Sequence, residues 1–197
     1  MMETVGQRPS TKTGIFAWAL YDWANSAFPT VVITFVFATY FTQGIVKDEV
    51  TGTSLWGYAM SISGLAVALF APLLGAISDQ TGRRKPSLAI FTGIAVLSSA
   101  FLWFAEPDQK YIIWALVFAG VGNFAFESGM VFYNAMLPDI ARKDSLGRIS
   151  GWAWGAGYAG GLVCLVIALI GFVQTDTPWF GLEKDAAANI RATTLLV

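Results

Sequence analysis

Long apolar runs separated by short polar clusters set the pattern of this chain. A bilayer core of about 30 Å is crossed by about 20 apolar residues in a helix. Runs of that length, bounded by charges, Gly or Pro, occupy residues 15–43, 55–77, 87–105, 111–137 and 149–173. They predict five complete spanning helices, joined by loops too short to be domains, with a sixth beginning near Ile190 and cut off at Val197. The expected fold class is an all-α polytopic membrane protein. The polar tail ahead of the first run is followed by an apolar stretch too long for a signal-peptide core and without a small-residue cleavage site, so the first helix is expected to be retained.

The cationic residues divide unevenly between the two sides that this topology creates. Arg8, Lys12, Arg83, Arg84, Lys85, Arg142, Lys143 and Arg148 fall on one side, and Lys47, Lys110, Lys184 and Arg191 on the other. Loops rich in Lys and Arg are retained in the cytoplasm, so residues 1–14 are expected to be a cytoplasmic amino terminus. Trp56, Trp114 and Trp179 fall near the opposite boundaries, where an indole keeps its ring in the interface and its N–H near water.

Composition narrows the functional classes. Hydrophobic residues make up 55% of the chain and charged ones 13%, gathered between the apolar runs, which points to helices that face lipid. Net charge is −1 with no basic stripe interleaved with aromatics, which argues against a nucleic-acid partner. Histidine is absent and Cys164 is the one cysteine, which removes Cys/His zinc sites, His-based triads and an internal disulfide; Cys164 reads as a small packing residue. No nucleophile and base stand at a recognisable spacing, so neither an enzyme nor a metal or cofactor site is expected. Gly155, Gly157 and Gly160 spell the G-x-G-x-x-G of dinucleotide sites, but inside a membrane span rather than between a strand and a helix. Gly151 with Gly155, and Gly157 with Gly161, read instead as small residues one turn apart that let two helices approach closely.

An ionisable residue inside a span costs several kcal/mol unless it is neutral, paired or wet, so it is a functional candidate by default. Asp22 lies about two turns into the first helix, with Asn25, Ser26 and Pro29 at helical spacing. On the fourth, Asn123, Glu127 and Asn134 recur at spacings of four and seven and share a face. At ~1.5 Å per residue from the inner boundary, Asp22 and Glu127 fall at similar depth and are expected to face one cavity. With no Lys or Arg deep in a complete span, each carboxyl must be protonated, solvated or paired with a cation from elsewhere. The expectation is that Glu127 in particular binds a proton or a substrate amine.

Between the second and third helices the chain reads Gly75-Ala-Ile-Ser-Asp79-Gln-Thr-Gly82-Arg83-Arg84-Lys85-Pro86. Gly75 is expected to permit close helix approach, Gly82 to take the positive φ of a sharp turn, and Asp79 to accept hydrogen bonds or pair with an arginine. This loop resembles the signature of the major facilitator superfamily, and the later Leu137-Pro-Asp139-Ile-Ala-Arg142-Lys-Asp144-Ser-Leu-Gly147-Arg148 resembles its counterpart. With the Tyr21-Asp-Trp-Ala-Asn-Ser26 block, the likeness narrows to bacterial relatives of the fungal autophagy-associated vacuolar amino-acid effluxers. The resemblance implies that residues 15–197 are an amino-terminal half-bundle of two inverted three-helix repeats, lacking a carboxy-terminal half, whose first and fourth helices line a central pathway. It further implies a charge relay of Asp79 and Arg83, and secondary transport of a small solute such as an amino acid, coupled to protons, across a bacterial cytoplasmic membrane. Gln80 stands where the family's pattern has a basic residue, and Gly157 where its antiporters carry a proline. A transporter-like sensor or scaffold is the alternative.

Overall fold

The computed structural model describes residues 12–197; the tail before them, with Arg8, lies outside the described residues. Five helices are long and apolar enough to cross a membrane: α1 (Lys12–Val46), α2 (Glu49–Thr81), α3 (Arg84–Leu102), α4 (Gln109–Ile140) and α5 (Leu146–Val173). A short α6 (Ala188–Ala192) follows, and no strand occurs among the described residues. The chain is an all-α, multi-pass membrane protein.

α1 lies along α5, α2 along α4, and α4 also along α3, while α6 and the turn after it reach α3 and the middle of α1. Two clusters fill the interior. One gathers Phe28, Val32, Phe37, Phe41 and Leu102 toward the end where α1 meets α2. The other gathers Trp18, Leu88, Phe132, Tyr133 and Ala153 toward the end that carries Arg84.

The helices α1 and α2 run further than the apolar pattern predicts, and the loop expected between residues 43 and 55 contracts to Lys47 and Asp48. Lys47 turns left-handed (φ 62°) and returns its N–H to the Thr42 carbonyl at 3.1 Å. Asp48 then caps α2 by accepting from the Thr51 N–H at 2.7 Å. Directly beyond, a Cβ on Gly52 would come 2.8 Å from the Thr42 Cα, so the glycine lets the two helices touch as they turn. Helix propagation is limited by backbone hydrogen bonding, not by the first polar residue, which is why the apolar window stopped short.

α1 is not a regular helix. Pro29 has no N–H to give, and wide π-turns follow over Pro29–Phe35 and again over Phe41–Val46. Hydroxyls take up the carbonyls around the break: Ser26 donates to Asp22 O at 2.8 Å, Thr30 to Ser26 O at 2.8 Å and Thr34 to Pro29 O at 2.9 Å. In lipid, where no water reaches the backbone, this is what makes a broken helix tolerable.

Two expectations change. Arg191, counted above as a loop charge, is buried: it donates to the Trp103 carbonyl at 2.7 Å and the Ala186 carbonyl at 3.2 Å, with its guanidinium 5.1 Å over the Trp103 ring. It caps the carbonyl end of α3, where the helix dipole favours a cation. The Trp114 N–H reaches the Phe101 carbonyl at 2.9 Å instead of water, and Trp56 packs on Phe41.

The Thr51 contact holds the Asp48 carboxyl below the usual carboxylate range. A lowered folded-state value means that the cap stabilises above the unfolded pKa and is lost as pH falls through the folded one. Asp48→Ala is therefore expected to lower the thermal midpoint at neutral pH and to converge with wild type in acid, whereas Asp48→Asn keeps a neutral cap; midpoints measured across pH in lipid discs check this.

Candidate functional site

Asp22 is 5% exposed and faces α5. A Cβ on Gly157 would lie 2.8 Å from its Oδ2 and 2.7 Å from the Ser26 Oγ, so the carboxyl and hydroxyl sit directly against that glycine's backbone. A Cβ on Gly160 would collide with the Trp23 carbonyl, and one on Gly161 would stand 2.5 Å from the Thr30 hydroxyl. Gly157, Gly160 and Gly161 thus form the α1–α5 seam. Gly151 and Gly155 do not join it: a Cβ there meets open space, because they point to the uncovered side of α5. In the sequence Gly160 stands out only as the last glycine of the G-x-G-x-x-G pattern. The signal that could have found it is its spacing of three from Gly157, with Gly161 beside it.

The turn of α1 that precedes Asp22 carries two of three rings that pack together. Trp18 stacks on Tyr133 at 4.3 Å and donates its N–H to the Tyr133 carbonyl at 3.0 Å, and Tyr21 lies 5.3 Å from the same ring. The Thr92 hydroxyl is committed to the Leu88 carbonyl, so Tyr21 donates to the Thr92 oxygen at 2.7 Å. The Tyr133 hydroxyl is buried with no hydrogen-bond partner among the described residues.

The polar positions of α1 do not share one direction. Ser26 goes with Asp22 toward α5, while Asn25 turns toward α4, donating to Met130 Sδ at 3.5 Å, and borders a cavity of about 250 Å³ between α1 and α3. On α4, Asn123 donates to the Ser63 hydroxyl at 3.0 Å, and Ser63 donates on to the Gly120 carbonyl at 3.0 Å. That amide is a rivet between α2 and α4 rather than a free pathway group. Glu127 and Asn134, seven residues apart, are exposed on the open face of α4. The carboxyls expected to share a cavity are therefore in different surroundings: Asp22 is buried against α5 and Glu127 stands open.

At the far end of the bundle Gly82 closes α2 at φ 63°, with its N–H on the Ser78 carbonyl at 3.1 Å. The next turn brings Arg84, not Arg83, back to Asp79 at 3.6 Å. Arg84 also pairs with Asp139 at the end of α4, so one guanidinium, its side chain 20% exposed, ties the α2–α3 loop to the α4–α5 loop. Arg83 directly precedes α3, and its backbone N–H donates to the Thr81 hydroxyl at 3.3 Å. Opening α3 at Arg84 turns that side chain inward, and the choice between adjacent arginines is a matter of helix phase that a loop motif does not display. Gly75 is not a contact point, since a Cβ there meets nothing. Lys85 borders the groove beside Tyr21. No group of three or more metal-ligating side chains occurs among the described residues.

Against known proteins, a family model described as vacuole effluxer Atg22 like matches residues 41–196. The chain is 33% identical over 177 residues to the uncharacterized MFS-type transporter YxiO of Bacillus subtilis, covering 88% of this chain and 41% of that protein. It is 28% identical over 131 residues to the MFS-type efflux transporter phmH of Phaeosphaeria nodorum, covering 62% and 22%. The chain spans about two fifths of the first relative's length and about one fifth of the second's. No solved structure matches.

Gly160→Ala is expected to force α1 from α5 at a cost of about 1–3 kcal/mol, as overpacking does, while Gly155→Ala leaves the fold unchanged; thermal midpoints of both variants in lipid discs decide it. Arg84→Ala is expected to raise proteolytic nicking at residues 79–84 and 139–145, and Arg83→Ala to leave both loops as in wild type; limited digestion with an acidic-site protease separates the two.

Proposed function

The chain belongs to the vacuole effluxer Atg22-like family, and from that membership we propose that the whole protein is a secondary active transporter that exports a small solute by alternating access. The helices described form the amino-terminal half of its pathway, with the amino terminus in the cytoplasm. The solute class we assign is amino acids, driven by protons, in keeping with the resemblance of the Tyr21–Ser26 block and the effluxer name of the family.

One observation carries this reading. Glu127 stands exposed on a spanning helix, in no ion pair among the described residues, on the face that no other helix of the bundle covers. A carboxyl in that place is stable only if it is wetted, protonated or matched by a cation. A central aqueous pathway supplies all three, and a substrate ammonium or a proton is the natural partner. Asn134 lies two turns away on the same face and supplies a neutral donor and acceptor for the rest of a zwitterion.

The clamp at Arg84 supplies the gate. It joins the loop after α2 to the loop after α4 through two exposed carboxylates, Asp79 and Asp139. Exposed pairs are worth about 0–1 kcal/mol each, weak enough to break and remake during a cycle. This takes the relay expected of Asp79 and Arg83 and gives its arginine as Arg84.

The test is flux through the full-length protein in proteoliposomes, with a labelled amino-acid mixture and an imposed pH gradient. Gradient-driven flux is expected in wild type, and Glu127→Gln is expected to reduce it by about tenfold or more, matching the loss of one charged hydrogen bond of ~1.5–3 kcal/mol. Flux that the variant leaves intact removes Glu127 from the mechanism. The absence of flux for every amino acid removes the substrate class.

A further inference from the structure

We propose that the cavity between α1 and α5, at the end of the bundle away from Arg84, is a binding site for an amphipathic amine: one cationic nitrogen seated at Asp185 and Gln43, and an apolar body lying between the two helices.

The cavity follows from the way the two helices part. α1 and α5 touch at Gly157, Gly160 and Gly161, and beyond that seam each leaves regular geometry. α1 runs through π-turns at Pro29–Phe35 and Phe41–Val46, and α5 through one at Leu169–Val173, closed by the Gln174 N–H on the Leu169 carbonyl at 2.8 Å. All three wide turns give residues to one cavity of about 590 Å³: Phe35 from the first, Gln43 and Gly44 from the second, Leu169 and Val173 from the third. Such turns recur at functional sites, and small-molecule sites span about 300–1,000 Å³. The walls are held by contacts of their own. The Tyr40 ring lies 2.7 Å from where a Cβ on Gly44 would stand, and its hydroxyl donates to the Ala105 carbonyl at 2.8 Å. Across from it, Asn189 on α6 donates to the Phe172 carbonyl at 2.8 Å and ties the segment with Asp185 and Ile190 to the end of α5.

The lining selects the ligand. Val36, Leu165, Leu169, Val173 and Ile190 make the interior apolar, so an apolar body gains by leaving water for it. The Thr39 hydroxyl is committed to the Phe35 carbonyl at 2.7 Å. Gln43 and Asp185 are exposed and engage no other side chain among the described residues. None of the lining residues is cationic, and the neighbouring cations are occupied: Lys184 pairs with Asp176 at 3.6 Å, Lys110 with Asp108 at 3.8 Å, and Arg191 donates to the Trp103 carbonyl at 2.7 Å. A lone carboxylate beside an amide oxygen matches a cationic N–H donor, repels an anion, and leaves the carboxylate of a zwitterion without a partner. The site is separate from Glu127 on α4 and goes beyond the transport reading without depending on it.

The test uses the full-length protein in phosphatidylglycerol discs, carrying Cys164→Ser and, in the cavity wall, Val173→Cys. The rate at which a water-soluble thiol reagent labels Val173→Cys is followed with phenethylamine, with its neutral analogue phenethyl alcohol and with the anionic phenylacetate. Val50→Cys, at a position 78% exposed and outside the cavity, reports any effect of the probes on the membrane. The amine is expected to slow labelling of Val173→Cys and not of Val50→Cys, and to do so at lower concentration than the alcohol; phenylacetate is expected not to protect. Asp185→Asn is expected to raise the amine concentration needed by about two- to fivefold, as loss of one exposed charge pair does, and to remove the preference over the alcohol. Leu169→Trp, which fills the cavity, is expected to abolish protection, and Glu127→Gln to leave it as in wild type. Asp185→Asn changes an exposed residue and carries the test should Leu169→Trp not fold. A Val173→Cys thiol closed to the reagent, labelling that no probe slows, equal protection by all three probes, or an amine preference that survives Asp185→Asn overturns the proposal. Adding phosphatidylethanolamine to the discs separates the two sources of such an amine: protection by the lipid assigns the site to a headgroup, and its absence to a soluble molecule.

Discussion

The contact on which this bundle depends is the meeting of the Trp23 carbonyl with the backbone of Gly160. Between lipid-facing helices, burying apolar surface gains little, because lipid tails are as apolar as leucine; what holds helices together is close packing and the satisfaction of polar groups. Gly157, Gly160 and Gly161 let α1 come in to backbone distance, and everything else on α1 is set from there. Asp22 and Ser26 are directed into the seam, Asn25 toward α4, and Trp18 onto Tyr133.

The same constraint explains why the irregular helix is the one that carries polar groups. Pro29 gives no N–H to α1, and around it the hydroxyls of Ser26, Thr30 and Thr34 donate to the carbonyls of Asp22, Ser26 and Pro29. A regular helix would hold its carbonyls in its own ladder and leave side-chain hydroxyls nothing to do but find partners elsewhere. The break therefore creates a polar stretch that is already satisfied locally. Within it, the Asp22 carboxyl is the group left without a local donor. α2 stays regular through Pro72, and the α2–α4 pair is fastened differently, by the Asn123–Ser63–Gly120 chain of hydrogen bonds.

The two ends of the bundle also differ in kind. At one, Arg84 holds two exposed carboxylates across a water-accessible loop pair. At the other, Arg191 is buried and holds backbone carbonyls and a ring. A guanidinium facing exposed carboxylates competes with water and salt and is released cheaply, while one capping buried carbonyls is not. The bundle is thus firm at one end and releasable at the other.

Much of the fold was legible in the residues. Run length fixed five spans, because crossing about 30 Å of hydrocarbon demands about 20 apolar residues however the helices are arranged. The loop motif fixed the turn at Gly82, because a left-handed backbone there needs no partner beyond the local chain. Charge scarcity singled out Asp22 and Glu127, because the cost of a carboxyl in lipid is a property of the residue and the solvent. What tertiary structure alone decided is which way each group points. Four glycines at one-turn spacing on α5 look equivalent as a string, yet Gly157 and Gly161 meet α1 while Gly151 and Gly155 meet nothing, since the approach of a second helix picks one arc of the surface. Of the adjacent arginines, Arg83 stands before α3 at φ −84° and ψ 53° while Arg84 opens the helix, and Arg84 is the one that reaches Asp79 and Asp139. The two membrane carboxyls, alike by spacing and depth, end one buried against a neighbouring helix and one on an open face. Periodicity records position along and around a single helix; only the packing of its neighbours determines which side is inside.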